Sequence, residues 1–544
     1  MEMIEQYLGK WGKYQALIYG LLTLPFIIAG IQVMAFTFTG AVPEARCFIT
    51  GIDNRTSKDY RNPFVWDHGR NIYSNATMQR GKYLNCSYCP DSSGYTESDS
   101  LCYDTNSTNC DHGFVYSTHQ YHWTLAMKFD MVCFSGAWKR ELASSLYMLG
   151  YLVGAFSAGT LGDKFGRRPV FLGFSFAGLI CYHLIVFVPN FSLLCILHVL
   201  NGALSHGAYI SSYVIAMELI GGLARTICGV FVQGWFAVGF LYTGAMAYLI
   251  RDYRYLQLAL SLPAVLLVPY YWLIPESIRW QVVEGKKEEA KATLKKAARF
   301  NGVAVDDAVL ENMLQTNEET ESATVLSLFK HFPLARTTLI IFYCWFACAM
   351  TYYGLSLNTS DLPGNDYTNF LLSGAVEFPA YVIVVFTMEK WGRKVSIISS
   401  LALGGVCIIS STFCPSDLSW LIVTFACIGK ASVAGAFAII YNYSAELLPT
   451  VARNAGIGVA SACARIASFS APQIYLLGPY VKTWLPFLIY GSVAAIGAGL
   501  CLLLPETLNK KLPETIEDGV ELSTFGRQKT SSHSKSNDVA NTAM

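Results

Sequence analysis

Apolar residues run along this chain in unbroken blocks instead of helical stripes. Twelve blocks lie near 16–40, 143–161, 170–188, 193–217, 227–250, 255–274, 337–357, 367–388, 395–413, 420–444, 455–477 and 484–504. Each is on the scale of the roughly 20 residues that a helix needs to cross a hydrocarbon core of about 30 Å. The pattern predicts an all-α membrane protein with twelve transmembrane helices. The first block is too long for a signal peptide and lacks a good cleavage site, so it reads as a retained helix. The polar stretches then divide the chain into an N-terminus (1–15), a six-helix half (16–274) holding a long loop (41–140), a basic central loop (275–336), a second half (337–504) and a tail (505–544).

Composition agrees with the pattern: 53% of the 544 residues are hydrophobic and 14% charged, a balance that soluble domains rarely show. The net charge of +1 indicates no strongly charged partner, and nothing points to nucleic acid. Lys and Arg gather on one side of the predicted membrane, at Lys10, Lys13, Lys164, Arg167, Arg168, Arg225, the stretch from Arg279 to Arg336, Lys390, Arg393, Lys394 and Arg453. The short loops opposite hold only Arg251, Arg254 and Lys482. Basic residues stay on the cytoplasmic side, so both termini are expected there, in a multi-pass protein of the plasma membrane.

The first loop supports that orientation. It carries six of the 16 cysteines, Cys47, Cys86, Cys89, Cys102, Cys110 and Cys133, and the sequons at Asn54, Asn75, Asn85 and Asn106. Glycosylation and disulfides both belong to the outside compartment. Three bridges are expected, with their pairing open; a CxxC metal or redox pair at Cys86 and Cys89 is the competing reading. The sequons at Asn190 and Asn442 fall too near the membrane to count.

The chain repeats itself. DKFGRR (163–168) answers EKWGRK (389–394), ELIGGLAR (218–225) answers ELLPTVAR (446–453), and PESIR (275–279) answers PETLN (505–509). Each pair occupies the same place in its group of six helices. Two parallel halves of this kind enclose a substrate cavity at their interface and rock around it. The glycines allow tight turns between helices, while Asp163, Arg167, Arg168 and Arg393 can bond helix ends and neighbouring carboxylates. With Glu218 and Arg225, and Glu446 and Arg453, as partners, they would latch the two halves together. The plainer reading is a topology signal alone.

These motifs, with FDMVC closing the first loop, YYGLSL (352–357), VEFPAY (376–381) and AELLPTVARNAGIGV, resemble the major facilitator superfamily and, within it, the organic cation, organic anion and carnitine transporters, from about residue 10 to 515. The resemblance implies the major facilitator fold and a carrier of small organic ions. This chain has His198 where the superfamily commonly carries Arg.

Few ionisable residues reach the expected membrane centre, where each is a functional candidate. They are Glu377, Lys430 and Arg465. One ion pair at about 4 Å returns roughly 4 kcal/mol at an effective dielectric near 20, enough to offset one insertion penalty but not two. If Glu377 and Lys430 pair, Arg465 is left for an anionic group, or else it clasps backbone carbonyls of a neighbouring helix. Cation carriers of the family place an acid where Arg465 stands, whereas anion and carnitine carriers place Arg there. Anion carriers tend to have Lys where this chain has Tyr381. Trp345, Tyr352 and Tyr209 can hold an onium group by cation–π attraction; a single ring in such a helix is more often lipid-facing or packing, and it is the resemblance, which places all three at pocket positions, that implies a binding role for the set. His206 is a candidate for tuning the pH response.

No GxxxxGK loop is present, and no catalytic constellation, cofactor or metal site is expected. The leading expectation is a secondary or facilitative carrier of zwitterionic, carnitine-like ions, with no coupling ion legible. An organic cation uniporter, a sugar carrier and a non-transporting scaffold of the same fold are the alternatives. The doubled motifs argue against the scaffold, and the cysteine-rich loop against the sugar carrier.

Overall fold

The computed structural model describes residues 9, 11–47, 87–88, 108–109, 113–303, 324–359, 362–415, 417–510 and 512–524. The twelve apolar blocks become helices α1 (Lys13–Thr39), α2 (Cys133–Phe165), α3 (Arg167–Leu184), α4 (Phe191–Leu219), α5 (Gly222–Leu249), α6 (Tyr253–Val265), α7 (Phe332–Ser356), α8 (Asp366–Trp391), α9 (Arg393–Phe413), α10 (Ser419–Leu447), α11 (Thr450–Tyr475) and α12 (Leu485–Cys501). Among the described residues, ten helices are long and apolar enough to cross a membrane; α12 is apolar but shorter. Helix α11 has length enough at 26 residues, yet it trades large apolar side chains for Gly, Ala and Ser around Arg453 and Arg465. Two short antiparallel strand pairs, Ala45–Cys47 with Phe114–Tyr116 and Ser87–Tyr88 with Thr108–Asn109, lie in the first loop.

Helix α2 starts at Cys133, well before the apolar block at 143. Lys139, Arg140 and Glu141 interrupt the apolar run, but Arg140 and Glu141 are both buried and pair at 3.3 Å, so the helix tolerates them. The first loop is correspondingly shorter than 41–140. Helix α8 is broken at Val376 into Asp366–Ala375 and Glu377–Trp391. Pro379 has no N–H for the Ala375 carbonyl and its ring crowds that carbonyl, which accounts for the break.

Small residues set the closest helix contacts. A Cβ at Gly150 or Gly154 of α2 would strike the carbonyls of Val199 and Ala203 in α4, and one at Gly202 would strike Tyr147. This is the small-residue packing that membrane helices use.

The repeat is realised atom for atom. Gly166 (φ 103°) and Gly392 (φ 88°) make the turns before α3 and α9, where a side chain would meet the carboxylates of Glu276 and Glu506. Those carboxylates accept from the first backbone N–H groups of the next helix, Arg167 at 3.0 Å and Arg168 at 3.2 Å in one half, Arg393 at 2.9 Å and Lys394 at 3.1 Å in the other. Glu218 accepts from Ser277, as Glu446 does from Thr507.

Both described chain ends lie on one face. Tyr14 at the start of α1 donates its N–H to Asn301, which ends the helix Lys287–Asn301, and Ser523 near the C-terminal end meets Thr337 at the start of α7. On the opposite face, that of the first loop, the two halves touch. Tyr121 and Gln120 each donate to Asp366 at 2.7 Å, Tyr367 donates to the Gln120 carbonyl, and Phe38 stacks on Tyr367. Deeper in, Ser145 of α2 donates to the Phe469 carbonyl of α11 and accepts from Gln473.

Candidate functional site

Beneath that contact lies a cavity built by both halves, of about 460 Å³ with its mouth included. The first half supplies Tyr151 from α2, His206 and Tyr209 from α4, and Gln233 and Phe236 from α5; the second supplies Tyr352 and Tyr353 from α7, Tyr381 from α8, Phe437 and Tyr441 from α10, and Arg465 from α11. Six tyrosines and one guanidinium therefore face each other in an otherwise uncharged lining.

Arg465 is 4% exposed. Ala464, Ala467 and Ser468 beside it are fully or nearly buried and bring α11 close to its neighbours. Its guanidinium sits over the Tyr151 ring at 5.3 Å, with Tyr353, Tyr441 and Tyr209 within electrostatic reach. No described carboxylate pairs with it, and its Nε has no hydrogen-bond partner. An uncompensated cation at membrane depth is costly, so this cavity favours an anionic group.

Glu377 and Lys430 behave differently. Lys430 Nζ lies 3.1 Å from Glu377 Oε1, with both side chains buried. The contact is an ion pair without hydrogen-bond alignment, since Nζ has no partner in the required direction. Glu377 instead accepts from the hydroxyls of Tyr352, at 3.1 Å and 3.2 Å, and Tyr381, at 2.9 Å. The Lys430 ammonium rests over the Phe240 ring at 4.2 Å. The pair stands behind the cavity wall and holds two wall tyrosines by their hydroxyls. Glu377 and Lys430, candidates for direct substrate contact, are therefore the mutual pair that the sequence also allowed, and they are absent from the lining itself.

Trp345 is corrected in the same way. It is wholly buried, donates Nε1–H to Ser444 at 2.9 Å and packs on Tyr441 at 4.3 Å between ring centres. Tyr441, not Trp345, faces the cavity. Tyr209, His206, Tyr352, Tyr381 and Arg465 do line it, whereas Tyr151, Gln233, Phe236, Tyr353, Phe437 and Tyr441 went unread in the sequence. Phe437 and Tyr441, four apart on α10, were the available signal, but that spacing equally describes core packing.

The charged turn residues bond inside their own half. Arg167 meets Asp163 at 2.8 Å and Glu218 at 3.8 Å; Arg393 meets Glu446 at 3.1 Å and Glu389 at 4.0 Å. Arg168 donates to the Tyr271 carbonyl and Arg453 to that of Leu448. Glu218 meets Arg167 and Ser277, and because α4 ends at Leu219 and α5 begins at Gly222, Glu218 and Arg225 stand on different helices. Arg393 likewise takes the place of Arg453 as the ion-pair partner of Glu446. Arg225 and Arg453, from opposite halves, lie within electrostatic reach of each other. The four loop sequons, and the side chains of the six loop cysteines, fall outside the described residues; His198 lines a second chamber with Gln32, Asn201 and Gln257.

Comparison with known proteins places this geometry. The family described as sugar (and other) transporter matches residues 97–518. An organic cation transporter protein of Drosophila melanogaster is 37% identical over 94% of this chain and 93% of its own length. The organic cation/carnitine transporter 2 of Homo sapiens is 33% identical over 98% of this chain and 96% of its own. The proton:xylose symporter XylE bound to 6-bromo-6-deoxy-D-glucose shares the fold at a TM-score of 0.61 and 15% identity, over 93% of this chain and 98% of that one. A partially occluded inward open conformation of XylE from E. coli gives a TM-score of 0.59 over 92% and 100%. A twelve-helix membrane transporter with doubled Gly-Arg turns and this similarity along its length is no enzyme, and the chain belongs to the major facilitator superfamily, within the family of organic cation and carnitine transporters.

Proposed function

We propose that this chain carries small organic zwitterions, carnitine-like in charge pattern, across the plasma membrane by alternating access. The observation that carries the reading is the single guanidinium. Among the described residues Arg465 faces a tyrosine-lined cavity with no carboxylate partner, while Glu377, which holds two wall tyrosines, already has Lys430. The substrate's carboxylate binds Arg465, and the tyrosine faces take its onium end, at about 0.5–2 kcal/mol each. The halves touch on the loop face, so the arrangement is one closed to the outside, with the first loop extracellular, glycosylated and disulfide-bonded and both termini cytoplasmic. In the opposite state the Asp163, Arg167 and Arg393 clusters would meet across the halves.

A second reading, facilitated transport of simple organic cations, is supported by the aromatic lining and by the similarity to an organic cation transporter protein. Uptake of labelled carnitine, tetraethylammonium and p-aminohippurate into cells separates the two. Arg465→Ala is expected to lower zwitterion uptake at least tenfold at normal surface expression, and Arg465→Lys to retain part of it, since Lys keeps the charge but not the two-pronged geometry. Undiminished zwitterion uptake by Arg465→Ala makes the residue a helix clasp and leaves the cation reading.

A further inference from the structure

Among the described residues, neither ring nitrogen of His206 has a hydrogen-bond partner, although the side chain is buried at 2% exposure. Both faces of the ring are taken, by Tyr151 at 4.2 Å and 19° and by Tyr209 at 5.5 Å and 14°. Only the polar edge is left to make bonds, in a residue that lines the cavity. A buried polar group without a partner is destabilising, so one that persists calls for a role. Arg465 stands within electrostatic reach of this ring, and its guanidinium lies 5.3 Å over the same Tyr151 that His206 stacks on.

The two nitrogens ask for different groups. A neutral imidazole donates from one nitrogen and accepts at the other, whichever tautomer it holds. A carboxylate held by Arg465 can meet the N–H but never the lone pair, because a carboxylate only accepts. The lone pair needs a second group that donates. The nitrogens point away from each other across the ring, so bonds of about 2.9 Å on both set the two groups roughly 6–8 Å apart. A hydroxyl one or two carbons from the carboxylate is too close to it to reach the far nitrogen, whereas the opposite end of an extended zwitterion is at the right distance. A quaternary ammonium there has no hydrogen to give; a primary or secondary ammonium has. From this geometry we infer that His206 is a specificity-determining residue that selects zwitterions whose cationic end bears N–H, extended ω-amino acids in preference to their trimethylated counterparts. The inference rests on the reading above, in which the carboxylate sits on Arg465. A quaternary zwitterion keeps that contact and the aromatic ones and forgoes the bond to the lone pair.

γ-Aminobutyrate and γ-butyrobetaine share one carbon chain and differ only in methylation of the nitrogen. Uptake of each by cells expressing the full chain is expected to favour γ-aminobutyrate about tenfold in kcat/KM, the worth of one well-made hydrogen bond. His206→Phe keeps the ring stack and removes both nitrogens. It is expected to weaken both compounds through the lost N–H and γ-aminobutyrate about tenfold more, which brings the ratio close to one. His206→Asn, which restores a donor and an acceptor, is expected to recover part of the preference. Competition binding to detergent-purified protein gives the same ratio where surface expression falls. A wild-type ratio of one or below, or a ratio unchanged by His206→Phe, overturns the inference; if Arg465→Ala then still abolishes uptake of γ-butyrobetaine, the carboxylate reading stands without it. If the wild type takes up neither compound, both fall together.

Discussion

Glu377 and Lys430 show how a buried ion pair acts through other residues. Each is at most 1% exposed, and Glu377 also anchors Tyr352 and Tyr381. Removing one partner strands the other charge in a low-dielectric interior, at about 3–5 kcal/mol. Glu377→Gln and Lys430→Met alone are therefore expected to lower the melting temperature of the purified protein markedly, and the double substitution to recover most of the loss. If the double variant melts no higher than the worse single one, the pair is not the reason for the burial. Arg465, Tyr209, Tyr352, Tyr381 and His206 were legible in the sequence because charge or an aromatic at membrane depth is scarce or sits in a distinctive motif. Tyr151, Phe437 and Tyr441 were not, since which face of a helix turns inward depends on its rotation against neighbours. Trp345 misled for the same reason: Tyr441, from α10, stands between it and the cavity.

At the scale of elements, the paired turns carry the most information. Two matched motifs in one sequence imply two matched structures, and Glu276 and Glu506 fulfil that by capping α3 and α9 with equivalent bonds. Hydrogen bonds to a charged group are worth about 1.5–3 kcal/mol. Glu276→Gln and Glu506→Gln should each lower unfolding stability by about that amount, measured by denaturation in detergent, and a large effect in only one half would break the equivalence. The start of α2 and the break in α8 were harder to read. An apolar window ends at Lys139 regardless of whether Arg140 and Glu141 neutralise each other, and pairing is a property of the folded helix. Pro379 was visible, but a proline near a helix end and one that splits a helix look alike in sequence.

The whole molecule is held closed on the loop face by a strap from the first loop. Residues 119–123 bond to the α5–α6 turn through His122 N–H and the Arg251 carbonyl, and through the Trp123 carbonyl and Tyr253 N–H. The same strap reaches the other half at Asp366, which is 3% exposed. Asp366→Asn weakens two charge-assisted bonds to neutral ones. It is expected to open this face more often, so that a cysteine at Ser145, under the seal between α2 and α11, reacts several-fold faster with a membrane-impermeant thiol reagent added outside. Equal labelling with and without Asp366→Asn would place the closure elsewhere, in the aromatic contacts of Phe38, Tyr367 and Phe370.

The position of Trp345 has an optical consequence. Its indole is shielded from water, bonded to Ser444, and packs on two rings of the cavity lining, Tyr441 and Phe437. A cargo that shifts either ring alters the indole's surroundings without contacting it. The protein thus carries, one layer behind its binding wall, an intrinsic fluorophore whose emission is expected to change when the cavity fills.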